Sequence, residues 1–419
     1  MTQYEESEDI YIPEAIIKKI LEKDIERAKE KMGKNLETVS DILEDLREEL
    51  EHDKKLSTVY PDTSAIPTTC GADGSYTIQR LLGWDLVQVA AIIVEGMTPP
   101  QNTRYWADPK FFVHSSIVAR MDGNTNVLRG TMVKLELHLI RHAPHEVKFI
   151  DGSIKTPFIY FHQAFKQIEQ NNVSEELYQI FLERTDDVIA PYSDETGDRL
   201  EFPTIEESLS DYALILTNEN GRSDRYYVAV PKAITTSYLT EYLQNKVDDK
   251  ESKNSIKVLI DDRGLLNLML NPHELVGPFD VVKQENEGDE RLHFTSGKFP
   301  KYTKIFNDKI IPELEKWKVY YYKLPKGGVV RFEVPSVVAN HKSKLRKVIT
   351  GIVHNTQAYP AILEPYPLYL ADKMVKSTTY TLKIVREQLL YHALSGNLNV
   401  NIDPYNLVLL FNMYRTREG

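Results

Sequence analysis

Cysteine is nearly absent from this chain. Its 419 residues hold one, Cys70, which excludes an intrachain disulfide and a cysteine-based zinc site. Long hydrophobic runs are lacking too. No stretch of about 18 apolar residues occurs, so no membrane span is expected. Met1 to Asp9 is acidic and polar, unlike a signal or transit peptide, and the expectation is a cytoplasmic protein. There is no phosphate-cradling Gly-Lys-Ser/Thr loop, no Gly-x-Gly-x-x-Gly and no His-Glu-x-x-His. ATP hydrolysis, redox chemistry and zinc catalysis thus have no support. Repeats and low-complexity tracts are missing as well. Positive charge is in deficit, with a formal net charge of −11. That counts against gripping nucleic acid with the whole surface, though not against a local groove or DNA delivered by a partner. What remains is ordinary globular composition, 42% hydrophobic and 27% charged, in a length sufficient for a large core.

Against this plain background one pattern stands out. Thr68-Thr69-Cys70-Gly71-Ala72-Asp73-Gly74-Ser75 is echoed by Val147-Lys148-Phe149-Ile150-Asp151-Gly152-Ser153. Each reads as a short extended run that turns at Asp-Gly-Ser, the glycine permitting a sharp turn after the strand. Two carboxylates held at the open end of a sheet make an oxygen-rich pocket for a hard divalent cation. The alternative is that Asp-Gly-Ser is simply good turn chemistry.

The N-terminal region predicts one long helix after Pro13, or two joined near Gly33, with Ile16, Ile17, Ile20, Leu21, Leu36, Val39, Leu43, Leu46 and Leu50 at helical spacing. Residues 53–67 read as a linker. Tyr76 to Gly83 reads as a strand with its turn, Trp84 to Val94 as a central strand, and 97–125 as turn-rich. Asn126 to Ala143 fits either period; its length favours a helix capped within Asn124 to Asn126. Glu136 then lies beside an apolar face, either exposed or aimed inward at a metal. His138, His142 and His145 straddle the end of that helix, which argues against a shared metal. Helices are expected at 157–171 and 174–184, an irregular acidic insertion at 186–210, a strand at 225–230 ending in Pro231-Lys232, and a helix at 236–246. Further on come an apolar run at 256–260, a short segment at 265–270, an exposed loop at 283–291, and a helix around or broken at Pro312. A hairpin pairs 318–323 with 329–334. Helices follow at 336–352 and within 358–375, then a largely helical tail ending in the apolar run Leu407 to Met413.

The order strand-Asp-Gly-Ser, hairpin, Glu-bearing segment, strand-Asp-Gly-Ser resembles the NurA nuclease family. Tyr227-Val228-Ala229-Val230-Pro231-Lys232, Leu265 to Phe279 with Asn271-Pro272-His273-Glu274, Val330-Arg331-Phe332-Glu333-Val334-Pro335 and Tyr366-Pro367-Leu368-Tyr369-Leu370-Ala371-Asp372 look like the family's later motifs. Together they cover about residues 66–376. The resemblance implies an α/β fold: an RNase H-like mixed sheet flanked by helices, with an N-terminal helical extension (1–52), a nuclease domain (53–376) and a helical C-terminal tail (377–419). It implies a metal-dependent, usually manganese-dependent, DNA nuclease that works as a homodimer with the hexameric ATPase HerA, in end resection or antiphage defence. Asp73, Glu136 and Asp151 would be metal ligands. The family's fourth ligand is usually a His after Tyr-Pro; none occurs here, and Asp372 is the nearest candidate.

The chemistry of the residues suits this. Two Mn²⁺ or Mg²⁺ ions about 4 Å apart can activate a water and stabilise the leaving oxygen of a phosphodiester. Asp73 is expected to bridge them, with Asp151 and Glu136 completing the pair. Lys232 and Arg331 would contact phosphate or offset charge; a solvated Lys232 and an internal Arg331–Glu333 pair on one strand face are the alternatives. Two rival functions stand beside the nuclease: a nucleic-acid-binding module of the same fold without cleavage, and a docking subunit of a translocase.

Overall fold

The computed structural model describes residues 14–81, 83–96, 105–106, 108–185, 200–222, 224–232, 238–244, 246, 262–282, 292–356, 363–378, 380–395 and 406. The chain forms two units, one of residues 1–56 with 234–270 and one of residues 57–233 with 271–419. In the first, a single helix, α1 (Glu14–His52), runs straight through Gly33. The chain returns to this unit between two strands of the other, as α6 (Tyr238–Gln244) and α7 (Asp262–Met269). Leu46 and Leu50 are buried, as are Leu265 and Leu266, and Arg47 donates to the Met269 carbonyl at 3.1 Å. The buried Asp262 accepts from the Leu239 and Thr240 amides and the Thr240 hydroxyl, tying the start of α7 to that of α6.

The second unit is built on a nine-stranded mixed sheet. Its strands are β1 (Leu56–Thr58), β2 (Thr69–Arg80), β3 (Trp84–Glu95), β4 (Lys110–Ala119), β5 (Val147–Asp151), β6 (Tyr226–Val230), β7 (Glu274–Asp280), β8 (Lys318–Lys323) and β9 (Val329–Val334), in the order β1-β7-β8-β9-β6-β5-β2-β3-β4. β4, β3 and β2 run antiparallel, and β5 and β6 add parallel to β2. That is the arrangement expected of an RNase H-like core. β5 and β6 read as apolar runs because both their faces are covered. On one face lie α2 (Asn124–His142), α3 (Thr156–Glu169), α4 (Glu175–Leu182) and α5 (Ile205–Leu216). On the other lie α8 (Lys342–Thr356), α9 (Tyr366–Ser377) and α10 (Tyr380–Leu394). Val147, Phe149, Val228, Phe332, Ile349 and Leu368 join in one core on this second face. No helix among the described residues is long and apolar enough to cross a membrane.

Several expectations need correction. β2 is one long strand that passes through Asp73-Gly74-Ser75 without turning. β4 occupies part of the stretch expected to be turns; its Phe111, Phe112, Val113, Ile117 and Val118 are strand-favouring residues. The helix over 124–142 is present, but its N-cap is Gly123 without a side-chain bond. Asn124 instead donates to Asp85 and the Ala119 carbonyl and accepts from the Ser174 amide. Residues 205–210 are helical, because Thr204 and Glu207 form a reciprocal capping box at the start of α5. Around Pro312 the helix continues: a π-helical turn, Phe306–Ile310, lets the Ile311 amide donate to Phe306 just before the residue that has no N–H. The expected 336–352 helix is split at Asn340-His341. The expectations at 186–199, 256–260, 283–291 and 407–413 lie outside the described residues.

Candidate metal centre

Strand register builds the centre first. The parallel pairing Thr69↔Val147 to Ala72↔Ile150 sets Asp73 next to Asp151. The pairing Asp151↔Val230 brings Pro231-Lys232 just past the end of the neighbouring strand. Asp151 and Lys232 thus stand at the carboxyl ends of the parallel strands β5 and β6, where open α/β sheets present their crevices, while Asp73 lies partway along β2. The second Asp-Gly-Ser behaves as read, with Gly152 at φ +76° turning the chain out of β5. In the first, glycine serves a different need. A Cβ on Gly74 would lie 2.2 Å from Glu136 Oε1 and 2.5 Å from Met132 Cγ. The missing side chain is the window through which α2 brings Glu136 up to the sheet. Gly71 does the same on the opposite face, where a Cβ would lie 2.8 Å from the Leu368 amide nitrogen of α9. That close approach carries Asp372, one turn further along α9, to the site.

The carboxylates gather around one ammonium group. Lys232 Nζ lies 3.4 Å from Asp151 Oδ2, 3.6 Å from Asp73 Oδ2, 3.3 Å from Glu364 Oε2 and 3.7 Å from Asp372 Oδ1. Gly74 N–H donates to Asp73 Oδ1 at 2.8 Å. Burial, then the nearby Asp151 charge, pushes the Asp73 carboxyl up to about 8, against the pull of Lys232. Burial pushes Glu136 further still, helped by Asp73 and Asp151. Glu364 is raised by burial, with Lys232 opposing. Burial works against the charge on Asp372 too, but its bond to Lys376 (2.5 Å) and the attraction of Lys232 outweigh it and hold the group below its ordinary value. Lys232 is raised: its carboxylate neighbours overcome its own desolvation.

Four carboxyl groups around one lysine, with Glu136 behind them, make an oxygen-rich site for a divalent cation. The donors are hard oxygens, the set that suits Mn²⁺ and Mg²⁺. Asp151 Oδ1 is buried and accepts no hydrogen bond among the described residues, so it retains ligand capacity. The residues present therefore fit such an ion. Asp73, Asp151, Asp372 and Lys232 are brought together, and Glu136 reaches them from the other side of β2.

Arg331 is placed elsewhere. It is 4% exposed and bonds Glu333 at 2.7 Å, the internal pair weighed from its strand spacing. Glu333 in turn accepts from the Ser153 hydroxyl at 2.9 Å and the Ile154 amide at 3.0 Å, clamping the turn that follows Asp151. Glu364 was missed in the sequence. Its only signal is adjacency, two residues ahead of Tyr366-Pro367.

Comparison with known proteins follows this geometry. The family model described as the NurA domain matches residues 67–377. No curated protein matches the chain. The structure is similar to that of the NurA nuclease from Sulfolobus solfataricus, with 13% identity, 93% of this chain and 99% of that chain covered, and a TM-score of 0.50. It is also similar to a NurA with manganese (12% identity, 92% of this chain and 100% of that chain, TM-score 0.42). A NurA bound to dAMP and manganese gives 12% identity, 91% and 99% coverage, and a TM-score of 0.42. With the family model spanning most of its length, the chain belongs to the NurA family of nucleases.

Proposed function

We propose that this chain is a divalent-metal-dependent DNA nuclease whose centre is the carboxylate ring around Lys232. The observation that carries the reading is the convergence of Asp73, Asp151, Glu364 and Asp372 within 3.7 Å of one ammonium group, with Glu136 behind them. Asp73, Asp151 and Glu136 would hold the ions. Asp372 is the nearest candidate for the His that the family usually carries after Tyr-Pro, and Glu364 lies beside it at Lys232. When bound, a pair of Mn²⁺ ions supplies an acidified water and a positive charge for the leaving oxygen. The protein's own groups do the rest. The β2 and β5 backbones fix Asp73 and Asp151 side by side, so little reorganisation is needed at the moment of reaction. Lys232, at the centre of these carboxylates, would donate to a non-bridging phosphate oxygen. Glu136, desolvated and lodged against the Gly74 amide, keeps its position through the rigidity of α2.

The family resemblance supports a homodimer and a HerA-type hexameric ATPase that feeds DNA to the site, in end resection or antiphage defence. The acidic composition agrees with delivery by a partner, since −11 repels DNA outside a local groove. The test is cleavage of a labelled oligonucleotide with Mn²⁺, with Mg²⁺ and with EDTA. Metal-dependent nicking that Asp151→Asn reduces about 10³-fold or more, the scale of catalytic-site removals, is the expected outcome. Binding without any nicking, in the presence of the ATPase as well, would mean a non-cleaving module of the same fold.

A further inference from the structure

A second cluster lies on the side of α2 turned away from the carboxylate ring. His138 and His142 stand one helical turn apart and so share a face. Their ring centroids are 4.4 Å apart. From the neighbouring helix α5, Asp211 Oδ2 meets His138 Nδ1 at 2.6 Å. One ring nitrogen of each histidine and one oxygen of Asp211 all lie within 4.8 Å of one another. His138 and Asp211 are each 7% exposed, and His142 is half-buried. His145, the third histidine of the sequence cluster, is not part of it; it faces Glu95 at 3.4 Å and packs on Trp106.

We propose that His138, His142 and Asp211 form a separate metal site for a zinc-class divalent ion, one that clamps α2 to α5. Two imidazoles with one carboxylate are the donor set that zinc and its neighbours in the transition series prefer, and it differs from the all-oxygen ring. The His142 Nδ1 atom is paired with the His138 backbone carbonyl at 2.9 Å. A carbonyl only accepts, so Nδ1 carries the proton and Nε2 carries the lone pair a metal needs. An aromatic wall stands at the site: the Phe112 ring is 6.3 Å from His138 and 6.1 Å from Phe202. Three protein ligands leave a fourth position for water. The other grouping of this kind, Glu49, His52 and Asp53, differs: its Asp53 is already held by Lys246 at 2.7 Å and its His52 side chain is 83% exposed.

The clamp acts on the helix that carries Glu136, two residues before His138, so loading it should stiffen the backbone behind the carboxylate ring. The proposal does not depend on the nuclease reading. It is tested on the full-length protein carrying Asp73→Asn and Asp151→Asn, which cripples the acidic ring. That protein is titrated with Co²⁺ by visible absorption and with Zn²⁺ by calorimetry. The expected result is one equivalent of Co²⁺ with the intense d–d absorption of a four-coordinate ion, displaced by Zn²⁺, with a rise in Tm on loading. His142→Ala, at a half-buried position at the end of α2, should leave the metal-free Tm nearly unchanged. It should weaken Zn²⁺ by more than the ~10- to 100-fold that loss of an outer partner costs, and abolish the Tm rise. Absence of the absorption band, or Zn²⁺ bound equally well by His142→Ala, would show that His138 and Asp211 form only an ion pair between helices.

Discussion

Asp73 carries a pH signature that can be read without any substrate. Its carboxyl rises from an ordinary 3.8 to about 8 in the folded, metal-free protein. Between those values the folded state holds a proton that the unfolded chain has released, so stability falls as pH rises from about 4 to about 8. Glu136 is displaced in the same direction and adds to the slope. Asp73→Asn should therefore raise the Tm of the metal-free protein at pH 8 and flatten its pH dependence; equal slopes in mutant and wild type would contradict this. Because Mn²⁺ competes with that proton, its affinity should climb over the same range. Asp372 and Glu364 offer a second comparison. Asp372 is shared between Lys232 and Lys376, whereas Glu364 has only Lys232 among its ion pairs in the described residues. Glu364→Gln should cost at least as much Mn²⁺ affinity, measured by calorimetry, as Asp372→Asn. A loss confined to Asp372→Asn would make Asp372 alone the substitute for the family's His. The two Asp-Gly-Ser copies were legible at this scale because two carboxylates in the same local setting are conspicuous in sequence. Glu364 was not, since its role depends on where Pro365 starts α9, which nothing local reports.

At the scale of elements, helices are brought to the sheet by small residues on β2. Gly74→Ala would drive a methyl group into Glu136 and Met132 and force α2 outward, an overpacking that costs about 1–3 kcal/mol. The expected result is a lower Tm together with lost activity, although no ligand has been removed. A Gly74→Ala enzyme with normal Tm and rate would show that α2 has slack at this point. Glu333→Ala tests the clamp behind Asp151. It removes the carboxylate that Arg331, Ser153 and the Ile154 amide all bond, and breaking such a buried pair costs about 3–5 kcal/mol; chemical denaturation should show the loss. Here lies the division between what could and could not be read. Strands β5, β6, β8 and β9 follow from apolar runs and a Gly-Gly turn, and α2 from its length. β2 was cut short because Asp-Gly-Ser carries turn chemistry wherever it stands, and only the demand of Glu136 for space explains a glycine in mid-strand. Helix α5 was hidden by the acidic residues around it, although its Thr204/Glu207 box was there to be seen.

The whole molecule is acidic, with a formal net charge of −11. The isolated protein should bind DNA weakly and lose that binding steeply with salt. A HerA-type ring, if it is the partner, should raise degradation strongly; tight, salt-resistant binding by the isolated chain would contradict delivery by a partner. Family membership and the mixed-sheet fold were legible from ordered motifs spread along the chain. The grouping of residues 234–270 with the N-terminal helix was not, because it joins segments far apart in sequence with no shared pattern. The central claim is that the carboxylate ring is a metal centre, and Mn²⁺ binding tests it most directly. Electron paramagnetic resonance of free Mn²⁺ during titration counts the ions bound per chain. Two ions bound by the wild type, and loss of both in Asp73→Asn/Asp151→Asn at unchanged fold, is the expected result. Mn²⁺ bound with the same number and affinity by the double variant would contradict the account.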